Sequence, residues 1–227
     1  MRMRYWCYDL TKLSCWVVFR GGFGLEVRGK EHVPRRGPFI VASNHCSFLD
    51  PPVVGTACPR RLTFLARADL FQRPLLGAFL RGVHAVPLRR GEGDRAALSM
   101  AKQLLASGQP VAIFPEGTRQ LSGILGEARR GVGLLAETTG VPVIPAFVSG
   151  TFQALPPHAQ RLYPAKIRVA FGPAVAYTKS SGVRGVSSGR APELVSDPLS
   201  PRSRHERIAQ AVTAAWRQLA EDLHAHN

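Results

Sequence analysis

Residues 38–50 read Pro38-Phe39-Ile40-Val41-Ala42-Ser43-Asn44-His45-Cys46-Ser47-Phe48-Leu49-Asp50. Their first half decides the fold and their second half the chemistry. Phe39 to Ala42 is a short apolar run with β-branched residues, the signature of a buried strand. Ser43 or Asn44 could cap a helix that follows, which puts His45 at a strand-to-helix junction. Five more runs have the same character: Leu62 to Ala66, Ala85 to Leu88, Val111 to Phe114, Val143 to Phe147 and Ile167 to Phe171. Between them, Leu75 to Leu80, Asp94 to Ala106 and Gly131 to Thr139 read as helices. Strands alternating with helices predict an α/β domain, a central and largely parallel sheet flanked by helices. In such sheets ligands bind beyond the strand ends, where His45 is expected.

A histidine titrates with an unperturbed pKa of ~6.5, so it can take a proton from a hydroxyl near neutral pH if a carboxylate holds its other ring nitrogen. Asp50 is five residues on and supplies that carboxylate if the chain turns tightly. The pair lacks its own nucleophile, so a substrate alcohol is the natural attacker. Cys46 and Ser47 are the rival nucleophiles, but adjacent residues on a helix point apart. A capping or buried histidine is the structural alternative.

A second run, Phe114-Pro115-Glu116-Gly117-Thr118-Arg119, follows the strand Val111 to Phe114 and reads as a binding loop. Gly117 allows an unusual backbone turn. Glu116 can accept from a glycerol-like hydroxyl, and Arg119 offers a forked donor suited to phosphate oxygens.

Taken together, Asn44-His45 with Asp50 and Phe114 to Arg119 resemble the first and third signature blocks of the glycerolipid acyltransferases, including the 1-acylglycerol-3-phosphate acyltransferases. Ala85-Val86-Pro87-Leu88-Arg89-Arg90-Gly91 is similar to the second block and Val141-Pro142-Val143-Ile144-Pro145-Ala146 to the fourth, in matching order. The likeness runs from about Glu26 to Phe171. It implies that His45 is the general base oriented by Asp50, and that the acceptor hydroxyl attacks an acyl thioester. It further implies that Arg90, or Arg89 if the register slips, binds the acceptor's phosphate with Glu116, Gly117 and Arg119. The fourth block would line the acyl side. His84, Arg89 and Gln120 depart from the family pattern without removing a proposed catalytic group. The implied acceptor is the lysophospholipid 1-acylglycerol 3-phosphate, giving phosphatidic acid; another lysolipid, such as a lyso-ornithine lipid or lysophosphatidylglycerol, is the alternative substrate, and a non-catalytic basic membrane-binding module the alternative function. The implied donor is acyl-CoA or an acyl carrier protein thioester, and no metal or further cofactor is needed.

The chain has 227 residues and a net charge of +15. Residues 1–90 hold 15 Lys/Arg against 5 Asp/Glu, so ten of those charges lie there. A basic surface suits an anionic membrane. Nucleic acid is the competing partner, but no recognition motif accompanies the charge. In the first twenty residues no apolar run reaches the ~18 residues of a spanning helix. Trp6, Leu10, Leu13 and Val17 fall on one helical face, which predicts a helix in the membrane interface or packed on the domain's own core. The protein is therefore expected to be peripheral, on the cytoplasmic face of the membrane. Cys7, Cys15, Cys46 and Cys58 show no zinc-ligand spacing, consistent with a reducing compartment.

The expected organisation is a membrane-associating segment at 1–25 and a catalytic domain at 26–178. A Ser/Gly/Pro/Arg-rich flexible loop would cover 179–204 and a docking helix 205–227.

Overall fold

The computed structural model describes residues 6–88, 93–177, 183–185 and 200–225. Helix α1 (Trp6–Phe23) leads into β1 (Glu26–Arg28), β2 (Ile40–Ser43), α2 (Asp50–Ala57) and β3 (Thr63–Arg67). Then come α3 (Pro74–Gly82), β4 (Val86–Leu88), α4 (Gly93–Ala106), β5 (Val111–Ile113) and α5 (Gly131–Thr139). The chain continues through β6 (Val143–Ser149), α6 (Thr151–Ala154), β7 (Arg168–Phe171), β8 (Val175–Tyr177), β9 (Val183–Gly185) and α7 (Pro201–His224).

One sheet runs in the order β1-β7-β6-β2-β5-β3-β4, with β8 joined to β6 and β9 to β8. Pairings β2–β5, β2–β6, β3–β5, β3–β4 and β1–β7 are parallel; β6–β7, β6–β8 and β8–β9 are antiparallel. The largely parallel α/β domain expected from the alternation is thus present.

The run that began the sequence reading lies at the centre. Phe39, Ile40, Val41 and Ala42 are all wholly buried, as expected of a parallel strand covered on both faces. Alternation along the strand then divides the core in two. Phe39 and Val41 pack with Phe19 of α1 and with Val53, Val54 and Ala57 of α2. Ile40 and Ala42 pack with Leu105 of α4, Leu135 of α5 and Ile208, Val212 and Trp216 of α7. Each such side chain contributes ~1.5–3 kcal/mol by leaving water. Trp216, fully buried, also donates from Nε1 to the Ala42 carbonyl at 2.9 Å, fixing α7 across the back of β2.

Helix α7 starts at Pro201, capped by the Ser200 side chain accepting from Ser203 N, so the end of the expected loop and the start of the expected helix both move. Proline is pre-set for a first helical turn, and the serine before it ends the irregular segment. Residues 183–185 of that loop are strand; residues 178–182 and 186–199 lie outside the described residues. Helix α5 meets α7 closely: a Cβ on Gly133 would stand 2.2 Å from the His205 carbonyl oxygen. Glu137 ties the pair by accepting from Arg204 at 2.8 Å and pairing with His205.

Helix α1 has one face packed on the domain, as one of its two expected readings requires, and an exposed apolar face opposite. Tyr8 and Phe19 are buried, and the Tyr8 hydroxyl accepts from Leu62 N at 2.9 Å. The predicted stripe of Trp6, Leu10, Leu13 and Val17 is 56–59% exposed, with Trp16 and Val18 beside it. No helix among the described residues is long and apolar enough to cross a membrane.

Candidate active site

Parallel pairing of β2 and β5 sets Ala42 opposite Ile113, so the two chains leave the sheet side by side. One leads to His45 and the other to Glu116. Their loops are locked together: Gln120 N donates to the His45 carbonyl at 2.8 Å, and the His45 ring stacks on Phe114 at 4.3 Å between centroids. Asn44 clamps the same corner to β6, with Nδ2 donating to the Val148 carbonyl at 3.0 Å and Oδ1 accepting from Val148 N at 2.7 Å.

No helix begins at His45. Helix α2 starts at Asp50, and neither Ser43 nor Asn44 caps it. The intervening turn is organised by Asp50 itself, whose Oδ2 accepts from Cys46 N and Ser47 N, both at 2.7 Å. That oxygen also lies 2.8 Å from His45 Nδ1. Asp50 is wholly buried and the His45 side chain 18% exposed. Facing a carboxylate, Nδ1 carries the ring proton, which leaves the Nε2 lone pair unprotonated in the neutral ring.

The surroundings of Cys46, rather than helical geometry, argue against it as a nucleophile. Burial, with the Asp50 charge second, pushes its thiol up to about 12. A thiol so placed holds no useful fraction of thiolate.

Glu116 is 3% exposed, and both carboxylate oxygens are buried without a hydrogen-bond partner among the described residues. Burial raises its pKa above the ordinary carboxylate range; the nearby Gln120 side chain and the backbone of His45 and Gly126 oppose the shift, although none reaches the carboxylate with hydrogen-bond geometry. Buried acceptors left open in this way mark a place for a ligand donor. Glu116 and His45 share a cavity of about 160 Å³, also walled by Phe147, Ser149, Gly150 and Phe152.

Gly117 has φ +81°, a conformation that favours glycine, and the Arg129 guanidinium lies over it, 2.7 Å from where a Cβ would stand. The Arg119 guanidinium carbon lies over the exposed Phe48 ring, 3.5 Å from its centroid. Arg90 and Arg89 lie outside the described residues. The fourth block is core instead of cavity wall: Val143, Ile144 and Ala146 are wholly buried in β6, and the residues after them, Phe147 to Gly150, reach the cavity. Arg129, Asn44 and Phe114 were not singled out by sequence reasoning as site-forming side chains. Arg129 is separated from Gly117 by a loop whose path no local pattern encodes.

Fold and site together define an α/β domain that sets a carboxylate-held histidine beside a cavity at the ends of parallel strands. A family model described as Acyltransferase matches residues 24–149. The chain is 30% identical over 149 residues to the 1-acyl-sn-glycerol-3-phosphate acyltransferase of Bacillus subtilis, covering 65% of this chain and 72% of that protein. It is 29% identical over 214 residues to the protein of the same name from Pseudomonas aeruginosa, covering 88% and 78%. Its match to the chloroplastic Brassica napus enzyme BAT2, 32% identical over 150 residues, spans 65% of this chain and 43% of that one. The crystal structure of the 1-acyl-sn-glycerophosphate acyltransferase PlsC from Thermotoga maritima superposes with a TM-score of 0.68 over 94% of this chain and 83% of that one, at 24% identity, so the fold is shared. The chain belongs to the acyltransferase family.

Proposed function

We propose that this acyltransferase moves a fatty acyl group from a thioester donor, acyl-CoA or an acyl carrier protein thioester, to the free hydroxyl of 1-acylglycerol 3-phosphate, giving phosphatidic acid. One observation carries the reading: a histidine held at 2.8 Å by a wholly buried carboxylate borders the same cavity as the open acceptor oxygens of Glu116. The substrate assignment follows the names of the relatives.

His45 Nε2 takes the proton of the acceptor hydroxyl as its oxygen attacks the thioester carbonyl. The tetrahedral adduct collapses with loss of the C–S bond, and the departing thiolate takes the proton back from the imidazolium. Asp50 keeps the ring oriented and stabilises its charged form. General-base help of this kind is worth ~10²–10⁴-fold. Glu116 and Gly117 border the glycerol, and Arg119 pairs with the phosphate. Arg90 joins Arg119 on the strength of the family resemblance. The exposed stripe on α1 brings this site to the cytoplasmic surface of an anionic membrane.

The test is a panel assay on vesicles with palmitoyl-CoA as donor. The reading predicts that 1-acylglycerol 3-phosphate has the highest kcat/KM. A clear preference for a lyso-ornithine lipid or lysophosphatidylglycerol would move the assignment to a sister enzyme. Failure with every acceptor and donor would overturn the catalytic reading in favour of a basic membrane-binding module.

A further inference from the structure

Helix α7 ends at the cavity that His45 and Glu116 share. His224, in the last turn of that helix, is one of the residues that wall it. Packing fixes its place there. Trp216 and Leu223 of the same helix are buried, and Thr213 Oγ1 accepts from Ala128 N at 2.9 Å. Ala225 N donates to the Glu221 carbonyl at 2.9 Å, so the helical backbone continues past His224. The residue itself is exposed, which puts it at the mouth of the cavity, whereas Glu116 is buried within. Helix α7 follows all four signature-like stretches, and the family resemblance gives His224 no role.

The cavity wall is poor in cations. Among the described residues that line it there is no lysine or arginine, and the side chains able to carry positive charge are His45 and His224. His45 gives its Nδ1 proton to Asp50, and the proposed reaction uses its Nε2 on the acceptor hydroxyl. Arg119 lies over Phe48, just before the start of α2. Helices α2 and α7 cover opposite faces of the sheet, so Arg119 and His224 flank the site from opposite sides. A phosphomonoester carries about −1.5 to −2 charges at pH 7 and three strong acceptor oxygens, so it can take donors from two sides at once. A phosphodiester carries one charge, and its second ester branch blocks one of those approaches.

Resting on the proposed acceptor, we infer that His224 is a headgroup-specificity residue: its imidazole N–H donates to the terminal phosphate of the lysolipid from the α7 side, opposite Arg119, and so favours a phosphomonoester over a phosphodiester. An imidazole has an N–H to give in both its neutral and its protonated form, so the contact does not depend on charge state. The glycerol hydroxyl then lies inward, between His45 Nε2 and the open oxygens of Glu116, with the phosphate at the mouth.

The experiment compares wild type, His224→Ala and His224→Gln, each checked for a wild-type unfolding midpoint. Two constants are measured with palmitoyl-CoA as donor. One is the KM for 1-acylglycerol 3-phosphate. The other is the inhibition constant of its methyl phosphodiester as a competing ligand, which keeps the glycerol and acyl chain but lacks the second phosphate charge. In His224→Ala the KM rises about tenfold, while kcat and the diester constant stay near wild type. His224→Gln keeps an N–H donor and falls between the two. An unchanged KM overturns the inference. An equal loss for monoester and diester also overturns it, since that marks a site loosened in general, as does a fall in kcat at unchanged KM. A wild type that binds the diester better than the monoester, or turns over no acceptor, overturns the proposed acceptor itself; that result is read on the wild type alone and is thereby distinguished from the others.

Discussion

Asp50 holds His45 with the same oxygen that folds the loop between them: Oδ2 accepts from His45 Nδ1 at 2.8 Å and from Cys46 N and Ser47 N at 2.7 Å each. One buried carboxylate therefore orients the imidazole and builds the turn that presents it. Asparagine offers one uncharged acceptor oxygen and an NH₂ group that meets other donors. Asp50→Asn should lower kcat by ~10²–10⁴-fold. It should also destabilise the fold by ~1.5–3 kcal/mol, because hydrogen bonds to a charged acceptor are lost. Acyl-transfer kinetics and urea unfolding measure the two effects, and an intact kcat would show that the orientation of His45 is not what Asp50 contributes.

Cys46 contributes its backbone N–H to Asp50 Oδ2, and its buried thiol lies 4.0 Å from Asp50 Oδ1 and 3.4 Å from Thr151 Oγ1. With the thiol pushed up to about 12 by burial, Cys46→Ala should keep most of the wild-type kcat, and no acyl-enzyme should accumulate in a rapid-quench experiment. Loss of activity together with a trapped thioester would instead establish covalent catalysis.

Glu116 combines burial with open acceptor oxygens, so function and stability should pull against each other. A carboxyl whose folded pKa is raised is most stabilising to the fold while protonated. Stability falls as pH rises from the ordinary glutamate value through the raised one, because the ionised group is more costly in the folded state. Glu116→Gln removes this term. The variant should melt higher than wild type at pH 7, show a smaller decline between acid and neutral pH, and have a raised KM for the acceptor. Thermal scans across pH decide it; a Glu116→Gln variant less stable than wild type at neutral pH contradicts the assignment.

The fold was legible wherever a strand was long, apolar and central. Phe39 to Ala42 identified β2 because burial on both faces leaves no polar position, and Gly131 to Thr139 matches α5 residue for residue. Strand β1, Glu-Val-Arg, was missed since three residues with two charges carry no hydrophobic signal. His45 and Asp50 could be paired from spacing, but the helix start between Ser43 and Asp50 could not. The side chains that looked like caps have other partners: Asn44 on Val148 through two bonds, and Ser43 on the carbonyl of Asn44. Arg129 over Gly117, and the residues that complete the cavity beside His45, depend on how distant loops meet. No local periodicity records that.

The outward stripe of α1 is predicted to govern attachment without governing chemistry. Leu13 and Val17 are 59% and 58% exposed, so charging them leaves the core untouched. Each apolar side chain buried in an interface is worth ~1.5–3 kcal/mol. Leu13→Asp/Val17→Asp should lose binding to anionic vesicles in co-sedimentation while keeping activity on detergent-dispersed substrate. Undiminished vesicle binding would assign attachment to another surface.

The inward face of α1 gives a separate test. Burial lifts the Tyr8 phenol to about 12, keeping it neutral while it accepts from Leu62 N at 2.9 Å. Tyr8→Phe leaves that buried N–H unpaired and should cost ~1–3 kcal/mol in urea unfolding. No loss of stability would mean that Leu62 N finds another acceptor.

The most direct test of the central claim is kcat for His45→Ala against wild type, with 1-acylglycerol 3-phosphate and palmitoyl-CoA, using variant protein shown to be folded by its unfolding midpoint. A base at Nε2 predicts a fall in kcat of ~10²-fold or more. A folded His45→Ala protein that turns over like wild type would contradict it.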